Sequence, residues 1–307
     1  MSRLVVSGLV GLALVAARAR AQDMEPKAYS ASPVGANFLV TSYSGSSGGV
    51  VLDPTLPITN VHANVKGLAI GAGHTFGLFG DLALFSVAVP IVRADVTGQV
   101  YEQSGEVIRS GLGDMRLKLS VNLRGNPAST PAEFAKAPRS VIVGTSVAVI
   151  GPSGQYDGTK LINLGTNRWA FKPEIGVSVP KGRWDFDGYL GVWLFTDNAD
   201  FFPGGQLRTQ TSQVAIQGHA SYTIRRGMWI AADGTWYHGG ATSLNSGAQS
   251  TPLNNTRLGV TASVPFGGRY SVKVAYGNGV IVRTGTNFST VAVAWQVLWL
   301  SPKWAGR

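Results

Sequence analysis

The chain has 307 residues, a formal net charge of +10, 40 glycines, no cysteine and only 14% charged residues. Charged residues fall well below the share of about 25% in ordinary soluble domains, and glycine is nearly twice its usual share of about 7%. The absence of cysteine excludes disulfide bridges and thiolate catalysis, and it suits a cell envelope, where free thiols would be oxidised. Because the cations are dispersed and no recognition motif is present, we expect no nucleic-acid partner.

The first 21 residues are typical of a secretory signal peptide. Arg3 supplies the positive charge, Leu4–Ala17 the apolar stretch, and Ala19-Arg20-Ala21 an A-x-A cleavage site. Cleavage there removes three arginines, which lowers the net charge from +10 to +7. It leaves residues 22–33 as a short pre-barrel segment, which we expect to tuck into the pore mouth. No later stretch reaches about 18 uninterrupted apolar residues, so the sequence predicts no transmembrane helix.

Apolar and polar side chains alternate strictly from Met115 to Arg124. A period of two places successive side chains on opposite faces of a β-strand. Similar segments recur about every 20 to 30 residues and are joined alternately by tight turns and longer polar loops, which is typical of outer-membrane barrels. The sequence therefore predicts an all-β fold: a transmembrane, antiparallel, up-and-down β-barrel.

About twelve strands fit between the predicted turns, an even number, as single-chain bacterial barrels require. Even parity puts both chain termini on the periplasmic side. The barrel occupies residues 34–300, and residues 301–307 form a C-terminal extension. The predicted strands are approximately 34–43, 60–76, 82–97, 112–124, 140–151, 166–180, 184–196, 212–224, 228–238, 256–265, 270–280 and 287–300.

The two faces of most predicted strands differ in polarity. Their outward residues are apolar, and tryptophan and tyrosine concentrate near the strand ends, as an aromatic girdle at a membrane interface requires. The third strand is an exception, because Leu82–Val92 is apolar on both faces. Two interpretations stay open: this strand packs against an inner plug, or the segment is not a strand.

The inward faces carry polar side chains, which we predict to line the lumen and to bind the solute. Their basic excess favours anions, because a cationic lining attracts them. The alternative is that these residues only provide the polar interior of any barrel, paired with one another and with water. The predicted lining residues are Arg116, Lys118, Asn122, Arg168, Lys172, Glu174, Gln217, His219, Asp233, Arg257 and Lys273.

One constellation resembles a catalytic triad. His219 and Ser221 are two residues apart and share a strand face, and a tight turn at Arg225–Gly227 places Asp233 opposite His219. A His-x-Ser pair with a polar partner on the next strand is similar to the outer-membrane phospholipase A barrels, so a lipolytic enzyme is an alternative function. In that family the pair faces the lipid, whereas parity here points it into the lumen. We therefore expect no catalytic residues and no enzyme. No motif or ligand spacing indicates a metal or a cofactor.

Short motifs along the chain resemble the meta-pathway phenol-degradation family. They are Met24–Ser30 (MEPKAYS), Pro33–Phe38 (PVGANF), Gly111–Arg116 (GLGDMR), Gly154–Asp157 (GQYD), Asn163–Trp169 (NLGTNRW), Phe171–Glu174 (FKPE) and Phe195–Asn198 (FTDN). The resemblance covers essentially the whole mature chain. It implies an outer-membrane barrel of a transporter family, some members of which lie beside aromatic-degradation pathways.

We therefore expect a channel in the outer membrane of a Gram-negative cell, for passive uptake of small, aromatic or weakly anionic solutes. A barrel of this size is nearly filled by its side chains, so we expect low conductance or a gated path. The expected partners are outer-membrane lipid, the small-molecule solute and the barrel-assembly machinery. That machinery normally reads a terminal aromatic residue, which is displaced here to Trp299 or Trp304. A structural or receptor barrel without transport is a further alternative.

Overall fold

The computed structural model describes residues 24–51, 58–100, 103–282 and 285–301. The predicted signal peptide and the C-terminal extension beyond Ser301 lie outside these ranges. In the described residues, no helix is long and apolar enough to cross a membrane.

Sixteen strands and one short helix make up the secondary structure of the described residues. The helix, α1, spans Pro131–Phe134. The strands are β1 (Ala36–Val51), β2 (Ile58–Leu78), β3 (Asp81–Val100), β4 (Gln103–Leu112), β5 (Arg116–Pro127), β6 (Ile142–Ile150), β7 (Ala170–Lys181), β8 (Trp184–Phe195), β9 (Asn198–Phe201), β10 (Gln206–Gln210), β11 (Gln213–Arg225), β12 (Met228–Gly239), β13 (Thr242–Leu244), β14 (Leu253–Phe266), β15 (Tyr270–Ile281) and β16 (Gly285–Leu300).

Thirteen of these strands form one closed antiparallel barrel. The strands follow one another around the barrel in chain order, with β9, β10 and β13 left out, and β1 pairs with β16. Both β4 and β5 pair with β3, so they are the two halves of a single barrel strand. The barrel therefore has twelve strands, and the predicted all-β, up-and-down fold is confirmed. Ala36 pairs with Leu300, so the start of β1 and the end of β16 lie at the same end of the barrel, as an even number of strands requires.

Several predicted strand ends are wrong, mainly around the first four strands. The predicted loops at residues 44–59 and 98–111 are largely strand, because β1 continues to Val51 and β3 and β4 approach each other to within two residues. These stretches are rich in glycine and serine, whose side chains give no apolar alternation although their backbones pair normally. In the opposite direction, β7 begins at Ala170, four residues after the predicted start at Thr166.

The barrel has two unlike ends. At the short-turn end, tight turns join β2 to β3, β7 to β8, β11 to β12 and β14 to β15, and the longer β5–β6 connection contains α1. At the long-loop end, a connection of nineteen residues joins Ile150 to Ala170, and β9, β10 and β13 form a separate three-stranded sheet. Short turns face the periplasm in bacterial outer-membrane barrels, so the long-loop end is the external one.

The outer face of the barrel is apolar and the inner face is polar. On β7, Ile175 is 53% exposed on the outside, whereas its neighbour Glu174 is 5% exposed on the inside. Aromatic residues border the apolar belt at the short-turn end, where Trp184 contacts Tyr222 and Tyr270 stacks on Trp295. Because the ring closes between β1 and β16, an apolar belt of this kind can lie in lipid with its backbone groups paired from strand to strand.

Candidate functional site in the barrel lumen

Residues 24–35, called here the N-terminal segment, lie inside the lumen and reach deeper than the expected pore mouth. The segment enters at the short-turn end, where the Gly35 amide donates to the Thr75 carbonyl and the Ser301 amide donates to the Gly35 carbonyl, both at 2.8 Å. From there it rises along the inner faces of β5 to β8. Four of its side chains, those of Met24, Glu25, Lys27 and Tyr29, contact the wall and hold it there.

Glu25 pairs with two cations of β5. Its Oε2 lies 2.8 Å from Lys118 Nζ, and its Oε1 lies 3.4 Å from Arg116 Nη2. Lys118, and then Arg116, hold the pKa of the Glu25 carboxyl well below its usual range, and they outweigh the opposing effect of burial. Glu25 is therefore a carboxylate at neutral pH.

Met24 reaches the opposite side of the lumen. Gly259 on β14 and Gly277 on β15 are paired across the two strands and leave a notch that receives the Met24 side chain. A Cβ at Gly277 would lie 2.3 Å from Met24 Cε, so only glycine permits this approach. Met24 and Glu25 together form a bar across the lumen from β5 to β14 and β15.

Lys27 and Tyr29 anchor the base of the segment. The Lys27 ammonium pairs with Asp185, which Arg139 also contacts, and the Lys27 amide donates to Asp187 Oδ2 at 3.2 Å. The Tyr29 hydroxyl donates to Glu174 Oε1 at 3.1 Å.

The Tyr29 ring sits on two glycines. Gly144 on β6 and Gly176 on β7 pair with each other, and a Cβ at either would come within 2.2 Å or 2.4 Å of the ring. The ring of Tyr189 packs edge-on against Tyr29 with the centroids 5.3 Å apart. Tyr29 is almost completely buried, so the glycines and Tyr189 form a fitted socket for it.

Three of the predicted lining residues meet beside this socket. Lys172 Nζ lies 2.8 Å from Glu174 Oε2, with both side chains only 3% exposed, and Gln217 Nε2 donates to the same oxygen at 3.5 Å. Glu174 thus links the wall to the N-terminal segment through Tyr29.

His219 and Asp233 also meet, as the predicted strand pairing requires. His219 Nδ1 lies 2.7 Å from Asp233 Oδ1, and Thr261 Oγ1 donates to Asp233 Oδ2 at 2.6 Å. Ser221 is completely buried, and its Oγ donates to the Asp185 carbonyl at 3.5 Å. Within the described residues His219 Nε2 has no hydrogen-bond partner, so the serine hydroxyl and the imidazole do not contact each other.

The other predicted residues also lie on the inner face, and Lys273 approaches the same Trp229 ring as Lys27. Arg257 donates to the Phe288 carbonyl at 2.9 Å, and Lys273 Nζ lies 5.7 Å from the centre of the Trp229 ring. Arg168 stacks on Phe195 near the long-loop end. Asn122 is buried on β5, nearer the short-turn end than Lys118.

Sequence reasoning missed four carboxylate or aromatic residues of β8 and the charged residues of the N-terminal segment. The sequence of β8 does contain a signal for its inner residues. Side chains of Trp184–Phe195 point alternately to the two faces of the strand, and one face carries Asp185, Asp187, Tyr189 and Trp193. With Asp185, Asp187, Glu25 and Lys27 included, the lumen set has seven cations and five carboxylates, where the predicted set had six and two. The basic excess of the lining is therefore smaller than the sequence predicted.

The inner faces of β1, β2 and β3 form a small-residue wall opposite the charged strands. It carries Ser42, Ser44, Gly67, Ala69 and Ala88, continued on β3 by Pro90 and Val92. The segment Leu82–Val92, which is apolar on both faces, is therefore part of a barrel strand, β3, and its inner apolar side chains face the lumen.

A cavity of about 280 Å³ lies against the small-residue wall. Arg116 borders it on one side, and Ile150 and Trp193 border it toward the long-loop end. The cavity therefore combines an apolar surface with a row of serine hydroxyls, one cation (Arg116), one carboxylate (Asp114) and the Asn163 amide.

The connection between β6 and β7 folds over the long-loop end of this cavity. Ile162 is 2% exposed and packs among Val61, Val96 and Phe288 of the inner wall, while Leu164 lines the cavity itself. Asp114 fixes the loop, because it accepts from the Gly154 amide at 2.8 Å and from the Thr166 hydroxyl at 2.7 Å. We call residues 151–169 the lid loop.

A second cation–aromatic contact lies beside the lid loop. Arg208 on β10 stacks over Phe201, with the guanidinium carbon 5.2 Å from the ring centre. Burial lowers the pKa of Arg208 to about 10, which still leaves it charged at neutral pH.

Comparisons with known proteins agree with this fold. The chain matches, over residues 46–297, the family model described as "Putative MetA-pathway of phenol degradation". A crystal structure of an outer membrane channel from Pseudomonas putida F1 is similar, with a TM-score of 0.78 and 21% identity, covering 90% of this chain and 100% of that one.

More distant barrels also match. The β domain of the Bordetella autotransporter BrkA has a TM-score of 0.52 and 11% identity, covering 86% of this chain and 100% of that one. The transport unit of the autotransporter AIDA-I from Escherichia coli has a TM-score of 0.52 and 8% identity, covering 96% and 99%. A search of curated proteins gives no match.

The apolar belt around a polar interior and the similarity to an outer membrane channel agree with the predicted outer-membrane location, which is confirmed. The family resemblance that the short sequence motifs indicated is confirmed by the match over residues 46–297. The chain therefore belongs to the family described as "Putative MetA-pathway of phenol degradation", and it has the fold of an outer-membrane β-barrel channel.

Proposed function

We propose that this barrel is a passive channel for small aromatic solutes that are weakly polar or weakly anionic. The observation that carries the proposal is the cavity of about 280 Å³ inside the closed barrel, between the small-residue wall and Arg116. Outer-membrane lipid surrounds the barrel, and the barrel-assembly machinery inserts it.

The size of the cavity favours small solutes. A dry protein cavity of about 150 Å³ holds a benzene molecule, and drug-sized ligands need about 300 to 1,000 Å³. A cavity of about 280 Å³ therefore suits a single substituted ring and is too small for a disaccharide.

The lining favours a ring with one polar end. Pro90, Val92 and Leu164 offer apolar contact to the ring, while Arg116 and the hydroxyls of Ser42 and Ser44 can receive a phenolic or carboxylate group. The lid loop narrows one end of the path and the N-terminal segment narrows the other, so the channel has low conductance. Pore width and charge select the solute.

A lipolytic enzyme is less well supported. Catalysis would need the Ser221 hydroxyl beside the imidazole that takes its proton, yet this hydroxyl bonds to the Asp185 carbonyl. Ser221 is also enclosed by the barrel wall, away from the lipid that would be the substrate. We therefore propose that the protein is not an enzyme.

Narrowing the cavity tests the channel directly. Ala88→Leu adds a side chain to the small-residue wall, and we expect it to reduce benzoate and phenol uptake by proteoliposomes at least fivefold. The matched control is Val89→Leu on the next residue, which faces lipid and is expected to transport like the wild type. Equal uptake by Ala88→Leu and wild type would contradict the proposed path, and phospholipid hydrolysis abolished by Ser221→Ala would favour the enzyme.

A further inference from the structure

The tip of the N-terminal segment is held far less tightly than its base. Among the side chains at the tip, Glu25 is 42% exposed to the lumen and its partners Arg116 and Lys118 are 25% and 13% exposed. At the base, Tyr29 is 1% exposed in its socket. The ion pairs of Glu25 are thus open to a solute, whereas the anchor at Tyr29 is not.

We propose that Arg116 and Lys118 form a binding site for the carboxylate of a small aromatic acid, and that Glu25 occupies this site as a tethered substitute until a solute displaces it. The inference rests on the proposed function, because it assigns a substrate class and a gate to the same lumen. Exchange of one carboxylate for another leaves the local charge unchanged, so no cation is left unpaired.

The geometry lets one molecule use both the cavity and the cations. Arg116 borders the cavity and also contacts Glu25, at 3.4 Å between Nη2 and Oε1. A guanidinium can hold a carboxylate through two parallel hydrogen bonds, and the carboxylate of a bound acid would take the place of the Glu25 carboxylate, which lies 3.4 Å away. The ring of the bound acid would lie against Pro90 and Val92 of the small-residue wall.

Displacement of Glu25 removes the bar across the lumen. Met24 precedes Glu25 directly, so its side chain leaves the notch of Gly259 and Gly277 when Glu25 moves. Tyr29 stays in its socket and acts as the hinge. A solute acid thereby opens the path that it follows.

The apparent affinity of the site for a solute acid is set by competition with the tethered Glu25 carboxylate. Short flexible tethers give effective concentrations in the millimolar range, so a free carboxylate must reach about that concentration to compete. Contacts between the ring and the cavity lower this requirement. We therefore expect half-maximal opening at or below the millimolar range for benzoate, and no opening by its neutral analogue benzyl alcohol.

Thiol labelling measures displacement without requiring transport. The chain has no cysteine, so Met24→Cys supplies a single thiol, which faces the wall of β14 and β15 while the bar is in place. We expect 10 mM benzoate to raise its rate of reaction with a small neutral thiol reagent at least fivefold, and benzyl alcohol to leave the rate unchanged. Intact folding of each variant is checked by its heat-dependent migration on a gel.

Variants in the same background assign the effect to the ion pair. Glu25→Gln should label fast without benzoate, and Lys118→Gln should label fast and no longer respond to benzoate. The control Lys66→Gln removes a lysine from the outer face of β2 and should respond like the parent.

A response to benzyl alcohol equal to that to benzoate, or an unchanged benzoate response in Lys118→Gln, would overturn the proposed exchange. Accelerated labelling without benzoate uptake would support the exchange and refute the channel. Uptake of benzoate without accelerated labelling would support the channel and refute the exchange.

Discussion

Replacing Gly176 with alanine should expel the N-terminal segment from the lumen. The added Cβ would lie 2.4 Å from the Tyr29 ring and 2.6 Å from the Tyr189 ring, where ordinary contacts are 3.4 Å or longer. Tyr29 must therefore move by about 1 Å or leave, because strand pairing fixes the backbone on both sides of Gly176.

The loss of docking free energy can be worked out from the contacts that Tyr29 gives up when it leaves its socket. Burial of an aromatic side chain contributes about 1.5–3 kcal/mol, and a hydrogen bond to a charged group such as Glu174 about 1.5–3 kcal/mol. Loss of both terms weakens docking by about 3–6 kcal/mol, which lowers the ratio of docked to undocked segment by roughly two to four powers of ten.

Single-channel recording in planar bilayers measures the result. Gly176→Ala should show a conductance several times that of the wild type, approaching that of a variant that lacks residues 24–32. The matched control is Gly218→Ala on β11, where a Cβ meets nothing within 4 Å. A conductance of Gly176→Ala equal to that of the wild type would refute the reasoning that the glycine socket holds the segment in place.

Two further substitutions test other parts of the lumen. Glu174→Gln removes the carboxylate that lies 2.8 Å from the buried Lys172 ammonium, so we expect a loss of about 3–5 kcal/mol, seen as a lower unfolding temperature by gel migration. The exposed Glu106→Gln is the control, and equal unfolding temperatures would contradict the pairing. Ile162→Ala removes about 2–5 kcal/mol from the packing of the lid loop, so proteases should cleave the loop faster and conductance should rise. Lys160→Ala in the same loop is exposed and should change neither property, and an unchanged cleavage rate in Ile162→Ala would show that its packing does not hold the lid.

The barrel could be predicted from sequence because alternation reports directly on a wall with lipid on one side and water on the other. The pairing of His219 with Asp233 follows from a tight turn and the strand period alone. Register is fixed by the apolar outer face, since a shift of one residue would turn that face into the lumen. Where both faces carry small residues, as in the second half of β1, this signal fails, and the predicted end of that strand is wrong.

The gate could not be predicted, because its contacts are not periodic. Residues 24–35 form no strand and are held by single contacts with residues far away in the chain, such as Glu25 with Lys118 and Tyr29 with Glu174. The glycines that receive Tyr29 are indistinguishable in sequence from other strand glycines. The position of the lid loop could not be predicted for the same reason, because Ile162 packs in a cluster with wall residues from four different strands.

Size-selective flux through the purified wild-type protein tests the central claim most directly. Proteoliposomes should take up benzoate and exclude sucrose, at rates set by the amount of folded barrel in the membrane. Uptake of both solutes at similar rates, or of neither above protein-free liposomes, would contradict a narrow channel for small aromatic acids.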